Sequence, residues 1–192
     1  FAHFLQYGLK VTERAEYEFR AMDMGNVMHM ALEKFAAEVR KEGLDWAELT
    51  EEERNRIIDD CLDQVSADYG NTILKSSARN EYMIERTRRI LRRTVWALQE
   101  QLKHGAFRPE GFEVRFQGGR IDRVDIMEEP ENNRVYVKVI DYKTGNTSFD
   151  LLALYHGLQL QLMVYLDGAL QVEKRKYPDR EIVPAGVFYY NV

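Results

Sequence analysis

Apolar positions recur along this chain with two different periods, and the change of period divides it. From Met24 to about Lys41 the apolar residues are Val27, Met28, Ala31, Leu32, Phe35, Ala36 and Val39. Steps of three and four place them on one face of a helix. Gly43 follows as a stop signal. Thr50-Glu51-Glu52-Glu53 has the form of a capping box and predicts a second helix running to about Tyr69. A third helix is predicted from about Ala78 to Lys103, ahead of Gly105 and Pro109, with Arg86, Arg88, Arg89, Arg92 and Arg93 on its outer side. That cluster reads as a solvated helix face or as a contact for a phosphate backbone.

Beyond residue 110 the period shortens. Glu113 to Met127 and Arg134 to Lys143 are rich in β-branched and aromatic residues and predict two strands, joined by the polar turn Glu128 to Asn133. Val135, Val137 and Val139 alternate with Tyr136, Lys138 and Ile140, as on a strand with two distinct faces. A helix is predicted over Phe149 to Gln171 and a last strand over Ile182 to Val192. The order α-α-α-β-β-α-β predicts an α/β fold, a mixed β-sheet flanked by helices with an N-terminal helical portion. With no repeat or linker, residues 1–192 are expected to form one domain, mostly helical over 1–110, with hairpin, helix and strand over 111–192.

Composition narrows the function classes. At 45% hydrophobic residues, with eleven Tyr and nine Phe, the 192-residue chain has enough apolar surface for a packed core. The net charge of −5 argues against a simple nucleic-acid coat protein, yet suits an enzyme whose acidic metal ligands lower the total. No apolar run approaches the length of a membrane span. Phe1-Ala2-His3-Phe4-Leu5 has no basic flank and no initiator Met, so we expect no signal peptide and a domain cut from a longer protein. The single cysteine, Cys61, excludes a disulfide framework and a multi-cysteine zinc site; it reads as a buried helical thiol and fits a reducing cytoplasm.

The chemistry concentrates in Gly119-Arg120-Ile121-Asp122-Arg123-Val124-Asp125 and Val139-Ile140-Asp141-Tyr142-Lys143-Thr144-Gly145. Residues two apart on a strand share a face, so Asp141 and Lys143 point the same way. With the turn centred between Glu131 and Asn132, Asp122 falls opposite Asp141 on the neighbouring strand. Cβ atoms so paired lie roughly 4.5–5.5 Å apart. Two carboxylates at that distance repel unless a cation or proton intervenes. A divalent ion such as Mg²⁺ satisfies both, and it can lower the pKa of a bound water and clamp phosphoryl oxygens. Lys143 beside it would position the water or stabilise developing charge. Burial lowers the pKa of such a lysine and carboxylates raise it; sequence leaves that balance open. Taken singly, Asp-x-Lys is an ordinary exposed ion pair, His29 a core histidine, Gln161 and Tyr165 one turn of helix surface, and Glu113 an edge charge.

Together and in this order, Phe1 to Leu9, Gly25 to His29, Gly119 to Asp125, Asp141 to Gly145 and Gln161 to Tyr165 resemble the RecB-like branch of the PD-(D/E)xK nuclease superfamily. The likeness is greatest to the C-terminal nuclease domain of the B subunit of bacterial AddAB-type (RexAB-type) helicase–nucleases. The resemblance implies a restriction-endonuclease-like core. It implies catalytic roles for Asp122, Asp141 and Lys143; metal binding by His29, Asp122, Asp141 and the Tyr142 carbonyl; and substrate contacts from Gln161, Tyr165 and, as a further acidic position, Glu113. It also implies Mg²⁺ or Mn²⁺ as cofactor, single-stranded DNA as substrate, and a helicase–nuclease A-type partner in a heterodimer that serves double-strand-break repair in the cytoplasm. Many members hold an iron–sulfur cluster on four cysteines flanking this region. Cys61 matches none of them, so the cluster is expected only in a longer parent, and the N-terminal segment is expected to be looser without it. No Gly-x-x-x-x-Gly-Lys-Ser/Thr loop is present, so ATP binding is not expected.

Overall fold

The computed structural model describes residues 21–69, 77–143, 145 and 147–191. The Phe1 to Leu9 motif and the expected loosening of the N-terminus lie outside them, as does Thr144. Three helices come first: α1 (Ala21–Lys41), α2 (Glu51–Asp68) and α3 (Ala78–Lys103). Val27, Met28, Ala31, Leu32, Phe35, Ala36 and Val39 of α1 are all buried, against Ile57, Ile58, Cys61, Leu62 and Val65 of α2 and Leu91, Val95 and Leu98 of α3. Gly43 ends α1 at φ +66°, its N–H donating to Arg40 O and that of Leu44 to Val39 O, the paired bonds of a Schellman motif. The capping box forms as expected. Glu53 N–H donates to Thr50 Oγ1 at 3.3 Å, and Thr50 N–H donates to Glu53 Oε2 at 3.0 Å. Between α2 and α3, buried Arg54 donates to Gln99 at 2.5 Å, whose amide donates to Leu49 O at 2.6 Å.

The sheet follows in the order β1 (Arg108–Phe116), β2 (Gly119–Glu129), β3 (Arg134–Lys143), β4 (Glu181–Asn191). β1, β2 and β3 are antiparallel neighbours, and β4 runs parallel to β3, reached through α4 (Leu151–Tyr155) and α5 (Gln161–Lys176). Val135, Val137 and Val139 join Val124, Ile126 and Ala169 of α5 in one core, whereas Ile140 and Tyr142 join the α1–α3 core. Helices therefore cover both faces of a mixed sheet, as expected. Gly168, in the middle of α5, makes room for Phe116 of β1; a Cβ there would lie 2.4 Å from its ring.

Two predicted elements are corrected. The single strand Glu113 to Met127 is a tight hairpin: Phe116 pairs with Gly119 across Gln117 and Gly118, and the first strand begins earlier, at Arg108. The single helix Phe149 to Gln171 is two. Asp150 caps α4 by accepting from Leu152 and Ala153 N–H at 2.8 and 3.1 Å, and Gly157 at φ +74° closes it with a second Schellman pair. The chain then restarts as α5, which runs on to Lys176. Leucine spacing continues through the break and hides it from a periodicity reading.

Candidate active site

Pairing along β2 and β3 runs from Glu129↔Arg134 to Arg123↔Ile140. One step further, the same register sets Asp122 level with Asp141, and the turn centre falls between Glu131 and Asn132, where the sequence put it. Asp122 is fixed by the backbone of the opposite strand: the Tyr142 N–H donates to its Oδ2 at 2.8 Å. Two further side chains reach that carboxylate from other elements. His29 of α1 places Nδ1 3.5 Å from Asp122 Oδ2 and 3.8 Å from Glu113 Oε1. The His29 ring also lies edge-on to Tyr142, centroids 6.1 Å apart.

Glu113 arrives by an unusual route. Its φ of +50° lies in the left-handed region, which a non-glycine residue rarely occupies within a strand. Such strain persists where the surroundings enforce it and clusters at functional sites. Its carboxylate is nearly buried, with Arg120 as a close ionic partner. One donor atom each from His29, Glu113 and Asp122 lie within 4.8 Å of one another. Glu113 thus stands with His29 and Asp122 in a group that could hold a metal ion.

On the adjacent part of β3, Lys143 Nζ lies 2.6 Å from Asp141 Oδ2 and donates to Gln161 Oε1 at 3.1 Å. Gln161 opens α5 and donates to the Tyr165 hydroxyl, one turn on, at 2.9 Å. The Tyr165 ring packs edge-on against Phe116, and the ammonium sits 5.4 Å from the centre of the Tyr189 ring, a cation–π distance. The structure therefore joins Asp141, Lys143, Gln161 and Tyr165 in one chain of contacts, beside the His29–Glu113–Asp122 group. Asp141 itself faces Lys143 and is not among the three converging ligand atoms.

The electrostatics describe a place that attracts cations. The Asp122 and Glu113 carboxylates push the His29 imidazole up to about 9 against the opposing effect of burial, so without a metal ion it carries a proton at neutral pH, one that a bound ion would displace. Burial raises the Asp141 carboxyl, the Lys143 ammonium lowers it, and Asp122 raises it again; the net is upward. Burial pulls Lys143 down, but Asp141 and Asp122 outweigh it, so the lysine is held charged. Asp141 Oδ2 and Glu113 Oε2 are buried without a directed hydrogen bond, although each touches a cation. The 2.6 Å approach of Lys143 is close enough for a strong charge contact but off the hydrogen-bond direction. A divalent ion fits this donor set. Two donors about 2.1 Å from one ion lie at most about 4.2 Å apart. The His29 distances of 3.5 and 3.8 Å fall inside that limit, and the three donors, all within 4.8 Å of one another, need at most a small closure to meet it.

Arg120 and Tyr189 escape a reading of the sequence. Arg120 stands inside the Gly119–Asp125 segment, but its pairing with Glu113 across the hairpin needs the β1–β2 register. Tyr189 pairs with Asp141 in a parallel ladder, whose register no turn announces.

The sequence profile of the PD-(D/E)XK nuclease superfamily matches residues 1–192. This chain belongs to the PD-(D/E)XK nuclease superfamily. It is 48% identical over 200 residues to the B subunit of the ATP-dependent helicase/deoxyribonuclease of Lachnoclostridium phytofermentans, covering 100% of the chain and 17% of that relative. B subunits of the same name from Alkaliphilus metalliredigens and Clostridioides difficile are 37% and 36% identical over 212 residues, again with 100% of the chain and 18% of the relative. The chain thus spans about a sixth of the length of the curated relatives it matches. Among the described residues no helix is long and apolar enough to cross a membrane.

Proposed function

We propose that this chain is a metal-dependent DNA nuclease domain of a longer helicase–nuclease B subunit, cutting single strands that an A-type helicase partner delivers during double-strand-break repair in the cytoplasm. The observation that carries the reading is the convergence of His29, Glu113 and Asp122 beside the Asp141–Lys143 pair. His29, Glu113, Asp122 and Asp141 would hold Mg²⁺ or Mn²⁺, with the Tyr142 carbonyl as a backbone ligand. When bound, the ion would supply an activated water and neutralise charge on the phosphoryl oxygens. The Tyr142 N–H keeps Asp122 oriented toward His29. Lys143, beside Asp141 and aimed by Gln161, would donate to a phosphoryl oxygen. Tyr165, bridged to Lys143 through Gln161, faces the same space and would contact the strand being cut. An iron–sulfur cluster would belong to the longer parent, since Cys61 is buried in the α1–α3 core and its thiol is pushed up to about 11 by burial.

The test is cleavage of labelled single-stranded DNA with Mg²⁺ or Mn²⁺, repeated in EDTA and with Lys143→Ala. The wild-type chain should cut only with metal, and Lys143→Ala should lose about 10²–10³-fold. Cutting that survives EDTA, or an unimpaired Lys143→Ala, would remove the proposed chemistry. DNA binding without any cleavage would instead favour a scaffolding module.

A further inference from the structure

The arginines of α3 do not act as one group. Arg88 and Arg92 lie toward α2, where Arg88 meets Asp63 at 2.6 Å and Asp59 at 3.4 Å and Arg92 pairs with Asp59. Arg88 also takes up Glu85, at 3.1 Å. Arg86, Arg89 and Arg93 are exposed and, among the described residues, make no ion pair. They stand at helical steps of three and four with two aromatic residues at the ends, Tyr82 at 60% exposure and Trp96 at 48%. Neither ring stacks on another aromatic among the described residues. The stripe Tyr82-Arg86-Arg89-Arg93-Trp96 is about 21 Å long at 1.5 Å per residue.

One end of this stripe reaches β4, the strand next to β3. Arg93, Thr94 and Ala97 line a groove of about 360 Å³ whose other wall is Tyr190 and Asn191 of β4. Asn191 pairs with Lys143, and the Tyr190 ring lies 5.8 Å from Tyr142. A strand lying along α3 would thus meet the sheet level with Lys143, on the Tyr142 face and across the sheet from the Lys143 side chain.

We propose that this face of α3 is a track for single-stranded DNA, the arginines meeting successive phosphates and Tyr82 and Trp96 stacking on bases. Unpaired guanidiniums interleaved with exposed aromatics are the two ingredients of sequence-tolerant single-strand binding. Their presence as a local stripe on a chain of net charge −5 is what a charge-complementary contact requires, and a merely solvated face has no use for the two rings. The DNA in this inference rests on the proposed function; the surface itself does not.

The test measures anisotropy of a labelled oligothymidylate with the whole chain in EDTA, so that no cleavage intervenes. Replacing Arg86, Arg89 and Arg93 together by Gln should weaken binding and flatten the slope of log K against log salt by about 2, from about 0.7 per phosphate contact. Tyr82→Ala with Trp96→Ala should weaken binding about tenfold or more while leaving the salt slope alone. Hydrolysis of bis(p-nitrophenyl) phosphate, too small to reach the stripe, should be unchanged in the triple variant and lost in Lys143→Ala. Unaltered affinity and salt slope in the triple variant would overturn the track, even if the enzyme cuts. So would polyglutamate binding as tight as oligothymidylate and indifferent to the two rings, which would mark the stripe as a contact for an acidic protein. Failure to hydrolyse the small diester would count against the nuclease reading alone, because the binding arm needs no catalysis.

Discussion

Strands β2 and β3 carry two groups of charged side chains a few residues apart, and the two are built on opposite terms. At Asp125 every need is met. Arg123 donates to Oδ1 at 2.5 Å and to Oδ2 at 2.9 Å, and Lys138 adds a contact to Oδ2 at 2.9 Å. The buried guanidinium lies 5.8 and 5.6 Å from the centres of the Trp46 and Phe112 rings and reaches the Tyr142 hydroxyl at 3.5 Å. At Asp122 the balance is short. Glu113, Asp122 and Asp141 face Lys143 and Arg120, and only a proton on His29 evens the count. Two of their oxygens lack a directed donor. Charge density is similar in both places; completeness is not. A site prepared for a cation is recognised by what the protein alone leaves unsatisfied.

The comparison is broken most directly at Asp125. Asp125→Ala strands Arg123 in the core without its anion and should cost about 3–5 kcal/mol in urea unfolding. A loss below about 1 kcal/mol would mean that the saturated network is no more structural than the open one. Next in size is the response to metal. Mn²⁺ at a hundred times its Kd should stabilise the chain by about 2.7 kcal/mol, read as a rise in Tm. Asp122→Asn should lose most of that rise, and an equal rise in the variant would place the ion elsewhere.

The same contrast marks how much could be read from the sequence. Hairpin register is local: a polar turn fixes its centre, and counting outward brings Asp122 to Asp141. Helix α1 was equally plain, because its apolar steps and Gly43 are read within one segment. The approach of Glu113 was not legible, since it depends on a positive φ that no spacing announces. Arg86 and Arg88 look alike in sequence; only the packing of α2 against α3 gives Arg88 to Asp59 and Asp63 and leaves Arg86 outside. Arg123 and Asp125 stand within the Gly119–Asp125 motif, yet whether such a pair is buried or wet depends on Trp46, which comes from a loop far away in the chain.

The smallest expected effect separates the two groups most sharply, because its sign reverses. Asp141 is nearly buried, and burial lifts its carboxyl above the ordinary value despite Lys143. A carboxyl whose folded-state pKa is raised costs the fold stability at neutral pH; the cost is complete above that pKa and disappears as the pH falls below the unfolded value. Asp141→Asn removes this cost while Gln161 still holds Lys143. The metal-free variant should therefore be as stable as the wild type, or more stable by up to about 1 kcal/mol, and should no longer cut DNA. Asp125 and Asp141 are both aspartates in one sheet, each beside a lysine. If removing the charge destabilises the fold at both, Asp141 is a structural ion pair; if only at Asp125, Asp141 is kept at the fold's expense for the chemistry next to it.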